Sequence, residues 1–243
     1  MDQESSQPGV SPAPALNSVG SGKGSSDSDS SEPRLVVIYD SPQECPYIEG
    51  EVSRTPLEFP RQPLQQTDLD VLLERGYRRT GNLFYRTQCP TCTSCIPVRV
   101  DVAQFRLTKS MRRILNRGRR ELKVVLGPPV CDEDRLRLYN DHRINRDLSR
   151  RGPASLSDYR DFLVSSCVST MEIAFYQSDR LVGVSIVDLG QNALNVVYTH
   201  FDPQFGRYSI GTLAVLEQID CAIQTRRQFV FLGLYVAENR HLN

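Results

Sequence analysis

The chain has 243 residues, of which 29 are Lys or Arg and 29 Asp or Glu, so it is formally neutral at pH 7. Its 39% hydrophobic content can build one or two cored domains. No apolar run approaches the ~20 residues that a bilayer span needs, no basic segment leads into an apolar one at the N-terminus, and the odd set of seven cysteines suits reduced thiols or a metal better than secreted disulfides. A membrane partner is thereby excluded and a cytoplasmic location expected.

Residues 1–33 hold ten Ser, four Gly and four Pro, with Lys23 against five acids. Such a segment buries too little surface to offset its ordering entropy and is expected to be a disordered tail. Leu35–Tyr39 reads as a strand and 40–50 as turn-rich. Thr67 or Asp68 caps an expected helix through Leu69, Val71, Leu72 and Leu73 that ends at Gly76. Residues 84–85 and 98–102 read as strands on either side of a cysteine loop. The boundary of this Cys-containing N-terminal subdomain is drawn at residues 34–105, and a second domain at 106–243.

The clearest helix covers 108–122, where Met111, Ile114, Leu115, Gly118 and Leu122 form one stripe. Gly118 costs roughly 1 kcal/mol against Ala, so it is expected to mark a close approach by another backbone. Further helices are expected over 132–151 and 157–168. Strands at 171–176, 181–188 and Ala193–Phe201 follow, then a helix over 209–226 and a strand at Phe229–Tyr235. The order predicts a mixed α/β (α+β) fold.

Three features carry chemistry. Cys89, Cys92 and Cys95 have the C-x₂-C-x₂-C spacing of a metal or iron–sulfur loop; a fourth ligand at position 99 is replaced by Arg99, which leaves Cys45 to complete a zinc or iron–sulfur site. Reduced structural thiols are the alternative. From Arg106 to Lys123, eight basic residues face Glu121 alone, with Arg112, Arg113 and Arg117 on the polar side of the helix. Like charges at i,i+4 repel, so a single-sign face calls for a polyanion such as RNA phosphate unless it is merely solvated. The stretch from Asp202 to Thr212 joins a strand to a helix, where the free N–H groups of Ser209, Gly211 and Thr212, with Arg207, can bind an anion.

Several spaced motifs then carry a resemblance. Cys45-Pro-Tyr-x-x-Gly50, Tyr77-Arg78-Arg79-x-x-Asn82-x-x-Tyr85-Arg86-x-x-Cys89-x-x-Cys92-x-x-Cys95-x-Pro97-x-Arg99 and Phe105-x-x-Thr108-Lys-Ser110-Met-Arg112-Arg113 resemble the N-terminal half of the aspartate/glutamate leucyltransferases, a branch of the arginyl-tRNA–protein transferase family. Phe201-Asp202-Pro203…Arg207-x-Ser209-x-Gly211-Thr212 and Leu232-Gly233-x-Tyr235 resemble the C-terminal half. The resemblance covers roughly residues 36–243. It implies a GNAT-like acyltransferase domain that takes leucine from leucyl-tRNA and joins it to acceptor proteins beginning with Asp or Glu, the chemistry of an N-degron pathway. The family usually continues past the last strand with a Lys-Met-x-Tyr-Lys-like segment where this chain ends at Arg240-His-Leu-Asn243, so altered activity is one expectation.

Aminoacyl-tRNA is an activated ester, so no cofactor is required for the transfer. The enzyme must position two reactants, keep an α-amine of ordinary pKa about 8 unprotonated, and stabilise an oxyanion. Asp202 and Tyr198 are the candidates for orienting or deprotonating the amine, with His200 as a secondary base; a turn before Pro203 and core packing are the plainer roles. Arg78 or Arg99 is expected to receive the acceptor's carboxylate. Arginyl transfer, acetyl-CoA-dependent acetylation and a non-catalytic RNA-binding role on the same fold stay open as alternatives.

Overall fold

The computed structural model describes residues 33–148 and 152–239. The Ser-rich tail up to residue 32, the last residues of the helix expected over 132–151, and the C-terminal 240–243 lie outside the described residues. The chain opens with β1 (Leu35–Tyr39), a small ladder of β2 (Gln43–Glu44) and β3 (Val52–Ser53), and β4 (Leu57–Pro60). Next come α1 (Gln66–Glu74), β5 (Arg78–Thr80), β6 (Leu83–Tyr85), β7 (Ile96–Asp101), α2 (Lys109–Glu121), β8 (Lys123–Gly127) and α3 (Glu133–Asn145). A single turn, α4 (Leu156–Tyr159), runs into a π-helical turn over Arg160–Val164. The meander β9 (Thr170–Gln177), β10 (Arg180–Leu189) and β11 (Ala193–Phe201) leads through a 3₁₀ segment, Pro203–Tyr208, to α5 (Ile210–Gln224) and β12 (Phe229–Tyr235).

Six strands form the main sheet in the order β7-β12-β11-β10-β9-β8, and four form a smaller one, β1-β4-β6-β5. All neighbours in the main sheet are antiparallel except β11 and β12, which are parallel and so require the crossover that α5 supplies. This is the mixed α/β arrangement expected. Within the stretch 34–105, β7 pairs with β12 and so joins the main sheet.

Alternation along the strands sorts the core onto two faces. On one, Ile173, Phe175, Val182, Val187, Leu194 and Val230 meet Leu213, Ala214 and Ile219 of α5. Helix α2 lies on the same side, begun by the Thr108 side chain accepting from the Met111 amide. The close approach at Gly118 is real, but the neighbour is a side chain: a Cβ there would stand 2.5 Å from Leu213 Cδ2. On the other face, Ala174, Val184 and Ile186 meet Leu138 of α3 with Tyr159 and Leu163, while Ala193 and Phe231 meet Leu69, Leu72 and Leu73 of α1. Full burial of each large apolar side chain contributes about 1.5–3 kcal/mol.

Candidate active site

The parallel ladder of β11 and β12 ends at Asn195 and Phe231. Beyond it β12 stays with β7 as far as Tyr235, and β11 stays with β10 as far as Phe201. The two central strands therefore part, and a gap opens between 196–201 and 232–235. Both sides of the gap carry an irregularity. In β12 the register slips between Phe231 and Gly233, and Gly233 sits at φ +106, a conformation that favours glycine. In β11 the residue between the pairs Val187–Val196 and Ile186–Tyr198 has no partner, so the bulge puts Val197 and Tyr198 on the same, α3-facing side.

The ladder also decides which backbone groups face the gap. The N–H and C=O of Phe201 both lie within hydrogen-bond reach of His142 Nδ1 on α3, at 3.2 and 3.1 Å, so they point away from β10. Thr199, two residues earlier, shares that orientation, and its side chain stands 2.7 Å from Ser185, as expected of the close, non-hydrogen-bonded pairs of such a ladder. The Thr199 N–H and C=O therefore face the gap.

On the α5 side, Ser209 takes a left-handed conformation (φ 49, ψ 53) and gives no side-chain cap, which leaves the first-turn N–H groups of Ile210, Gly211 and Thr212 without one. Arg207 lies over the Tyr208 ring, 4.6 Å from its centroid, and its carbonyl accepts from Arg117 Nη1 at 2.7 Å. Arg117, Arg207, Ser209, Gly211 and Thr212 are thus brought together. Arg112 and Arg113 are exposed on the same helix with no carboxylate partner among the described residues, whereas Arg119 is tied to Glu217 and Asp220 at 2.9 and 2.6 Å.

On the α3 side, half-buried Tyr198 makes edge contacts with Tyr139 (5.6 Å between centroids) and Phe162 (5.7 Å), and its hydroxyl has no partner among the described residues. Burial raises its pKa, which keeps it protonated. His142 and His200 are both buried, and desolvation lowers their pKa values to about 4 and about 3. His200 reaches only the Tyr159 hydroxyl, at 3.5 Å. A base that weak, sealed from solvent, is a structural histidine and not the secondary base expected.

Other expectations are corrected. Asp202 spends one oxygen on the Gln204 amide (2.9 Å) and the other on Arg180 (2.6 Å), the turn role rather than a base. Arg78 is buried, donating to the Tyr77 and Gly233 carbonyls at 2.8 and 3.0 Å, and Arg99 lies 3.9 Å from the Phe229 ring centroid with Glu74 at 3.7 Å. Arg78 is thus engaged by backbone carbonyls, while Arg99 keeps a partly exposed side chain beside Glu74. Cys45, Cys89 and Cys92 sit near enough to Cys95 for their charges, after burial, to push its thiol up to about 11. Among the described residues no group of three or more His, Cys, Asp or Glu is placed to hold a metal ion.

Sequence reasoning missed the polar network under the strand ends. Buried Asp188 accepts from Arg79 (2.9 and 3.0 Å), Thr170 (2.9 Å) and Asn195 (3.0 Å), while Arg79 also donates to the Gly81 carbonyl at 2.8 Å. The one available signal was an Asp closing the otherwise apolar β10, since a charge in a strand buried on both faces needs a partner.

Two family models match the chain: "Arginine-tRNA-protein transferase, N terminus" over residues 43–113 and "Arginine-tRNA-protein transferase, C terminus" over 134–243. An aspartate/glutamate leucyltransferase of Thiobacillus denitrificans is 32% identical over 213 residues, covering 86% of this chain and 87% of its own. Another from Pseudomonas fluorescens is 32% identical over 211 residues, covering 86% and 89%. Among solved structures, FemX aligns over 83% of this chain and 79% of its own at 7% identity (TM-score 0.46), and L-PGS from Bacillus licheniformis over 72% and 52% at 12% identity (TM-score 0.44); neither bears on the assignment. The chain belongs to the arginine-tRNA–protein transferase family, the aminoacyl-tRNA-dependent transferases.

Proposed function

We propose that this enzyme moves leucine from leucyl-tRNA to the α-amine of proteins beginning with Asp or Glu, in the cytoplasm. The observation that carries the reading is the gap between β11 and β12, with the uncapped start of α5 and the basic face of α2 on one side and an aromatic cluster on the other. The tRNA end lies against Arg112, Arg113, Arg117 and Arg207, its terminal phosphates over the N–H groups of α5. The ester passes into the gap and meets the amine arriving from the α3 side. The amine nitrogen attacks the ester carbonyl, the N–C bond forms, and the C–O bond to the ribose breaks. The proton lost by the amine ends on the ribose oxygen. The Thr199 N–H is placed to donate to the developing oxyanion, and the Tyr198 hydroxyl to orient the amine.

Leucine is favoured over arginine by the carboxylates present. Among the described residues, the buried ones are Glu58, Glu172 and Asp188, each already held by Tyr77, Arg135 or Arg79. None of these three is free to receive a donor guanidinium, and Asp70, which keeps one buried oxygen without a partner, lies on α1 against the Asn192 amide. The test is to offer labelled leucyl-tRNA, arginyl-tRNA or acetyl-CoA with an Asp-initiated peptide. Label is expected from leucyl-tRNA; transfer from arginyl-tRNA or acetyl-CoA instead, or tRNA binding without transfer, refutes the reading. Zinc or an iron–sulfur cluster at Cys45, Cys89, Cys92 and Cys95 is a separate proposal with no step of the transfer routed through it. It rests on their spacing, and metal analysis of the same anaerobic preparation, finding neither zinc nor iron, refutes it.

A further inference from the structure

We propose that Arg143 is the residue that selects the acceptor's acidic first side chain, receiving its carboxylate beside the rings of Tyr139, Phe162 and Tyr198; this rests on the transfer reading above. The last turn of α3 is fastened to the open edge of β11 by His142, whose ring also packs 4.7 Å from that of Phe201. Arg143 follows directly, its guanidinium carbon 5.3 Å from the centroid of Tyr139, which lies at i−4 on the same helix face. Tyr139, Phe162, Tyr198 and Arg143 are all half-buried, so the group is open on one side.

What sets Arg143 apart is how little holds its charge. The buried arginines on this side of the sheet are consumed: Arg79 by Asp188 and Arg135 by Glu172. Arg143 has no carboxylate within ion-pair distance among the described residues; the carboxylate in its range is Asp158, whose pKa is lowered first by hydrogen bonds from the Ser155 amide and hydroxyl and then by the Arg143 charge. Its hydrogen bonds, to Asn140 Oδ1, the Gly152 carbonyl and the Leu148 carbonyl, are 3.5, 3.4 and 3.4 Å long, at the outer limit for such contacts. The Tyr198 hydroxyl, unpartnered among the described residues, lies within range of the Arg143 charge. A planar guanidinium beside rings that exclude water, with a neighbouring hydroxyl donor, is a receptor for a carboxylate. In an N-terminal Asp or Glu the α-amine and the side chain share one carbon. A carboxylate held at Arg143 therefore leaves the amine beside Tyr198, on the strand whose Thr199 backbone faces the gap.

The test uses leucyl-tRNA as donor and two peptides that differ only in their first residue, Glu or Gln. In Arg143→Gln, kcat/KM for the Glu peptide is expected to fall by about 30-fold or more, with kcat/KM for the Gln peptide and KM for leucyl-tRNA held, so that the Glu/Gln ratio collapses toward one. Arg143→Lys is expected to keep part of the ratio. Because the ratio is read within one preparation, a loss of folded protein cannot produce its collapse. An unchanged Glu/Gln ratio in Arg143→Gln, or a raised KM for leucyl-tRNA in place of the loss on the Glu peptide, overturns the proposal. Wild-type protein that transfers nothing from any aminoacyl-tRNA overturns instead the transfer reading beneath it.

Discussion

The two faces of the main sheet are built from different materials. Against α2 and α5 the interior is aliphatic and aromatic, and its main buried polar feature is a short chain in which Gln218 donates to Ser185 at 2.7 Å and Ser185 meets Thr199. Against α1, α3 and α4 the same sheet buries two arginine–carboxylate pairs and both described histidines. An apolar interface tolerates repacking, because any filling of similar volume recovers most of the burial. A buried ion pair tolerates little, since removing one partner strands the other in a medium that solvates it poorly. The unforgiving face is the one that carries Tyr139, Arg143 and Tyr198.

The largest effect should come from breaking that contrast at its centre. Arg79→Leu leaves Asp188 buried without its cation and should cost about 3–5 kcal/mol in urea unfolding, while Arg79→Leu combined with Asp188→Leu should recover much of it. A double variant as unstable as the single one would show that the pair is not what holds this face. Acid should discriminate the faces next. The folded-state pKa values of His142 and His200 are held below the ordinary 6.5, at about 4 and about 3, so the folded state favours their neutral forms. Their contribution is complete above pH 6.5 and is lost as pH falls toward 4 and then 3, because the unfolded chain takes up protons first. His142 should contribute roughly 3 kcal/mol and His200 roughly 5 kcal/mol, and His200→Phe should flatten that part of the profile. An unaltered profile in this variant would place the acid sensitivity elsewhere. The smallest effect sharpens the α2 side: Arg112→Ala should lower the log–log salt slope of tRNA binding by roughly 0.7–0.9. Arg119→Ala, whose guanidinium is already bound to Glu217 and Asp220, should leave the slope nearly unchanged. Equal slopes for both variants would make the basic face a solvated one.

The difference between the faces also explains what could be read from the chain alone. Helix α2 was legible because its apolar stripe and basic face repeat at helical spacing, and β11 and β12 because their apolar runs have the length of strands. The strands β4, β5 and β8 were not, being short and stabilised by neighbours distant in the chain. The basic face of α2 stood out because like charges along one helix need an explanation that neighbours in sequence do not give. The contacts of Arg78, Arg99 and Asp202 were not legible for the opposite reason: their partners are Gly233, the rings of Phe229 and Phe231, and Arg180, which only the folded chain brings near. Arg143 was passed over because its distinguishing feature, a charge left uncompensated, exists only once every neighbouring carboxylate has been placed.

The position of β12 has a consequence for biosynthesis. Five strands of the main sheet precede it in the chain, yet it lies between β7 and β11, second in the sheet and last in sequence. Until residues 229–235 leave the ribosome, β7 has no neighbour in that sheet and the gap has one wall. Closing the sheet joins segments more than 120 residues apart, since β7 ends at Asp101 and β12 begins at Phe229, a long-range step of the kind that folds slowly. A growing chain can therefore hold the basic helix and most of the meander without holding a place for the ester. The gap gains its second wall only when β12 joins β7 and β11.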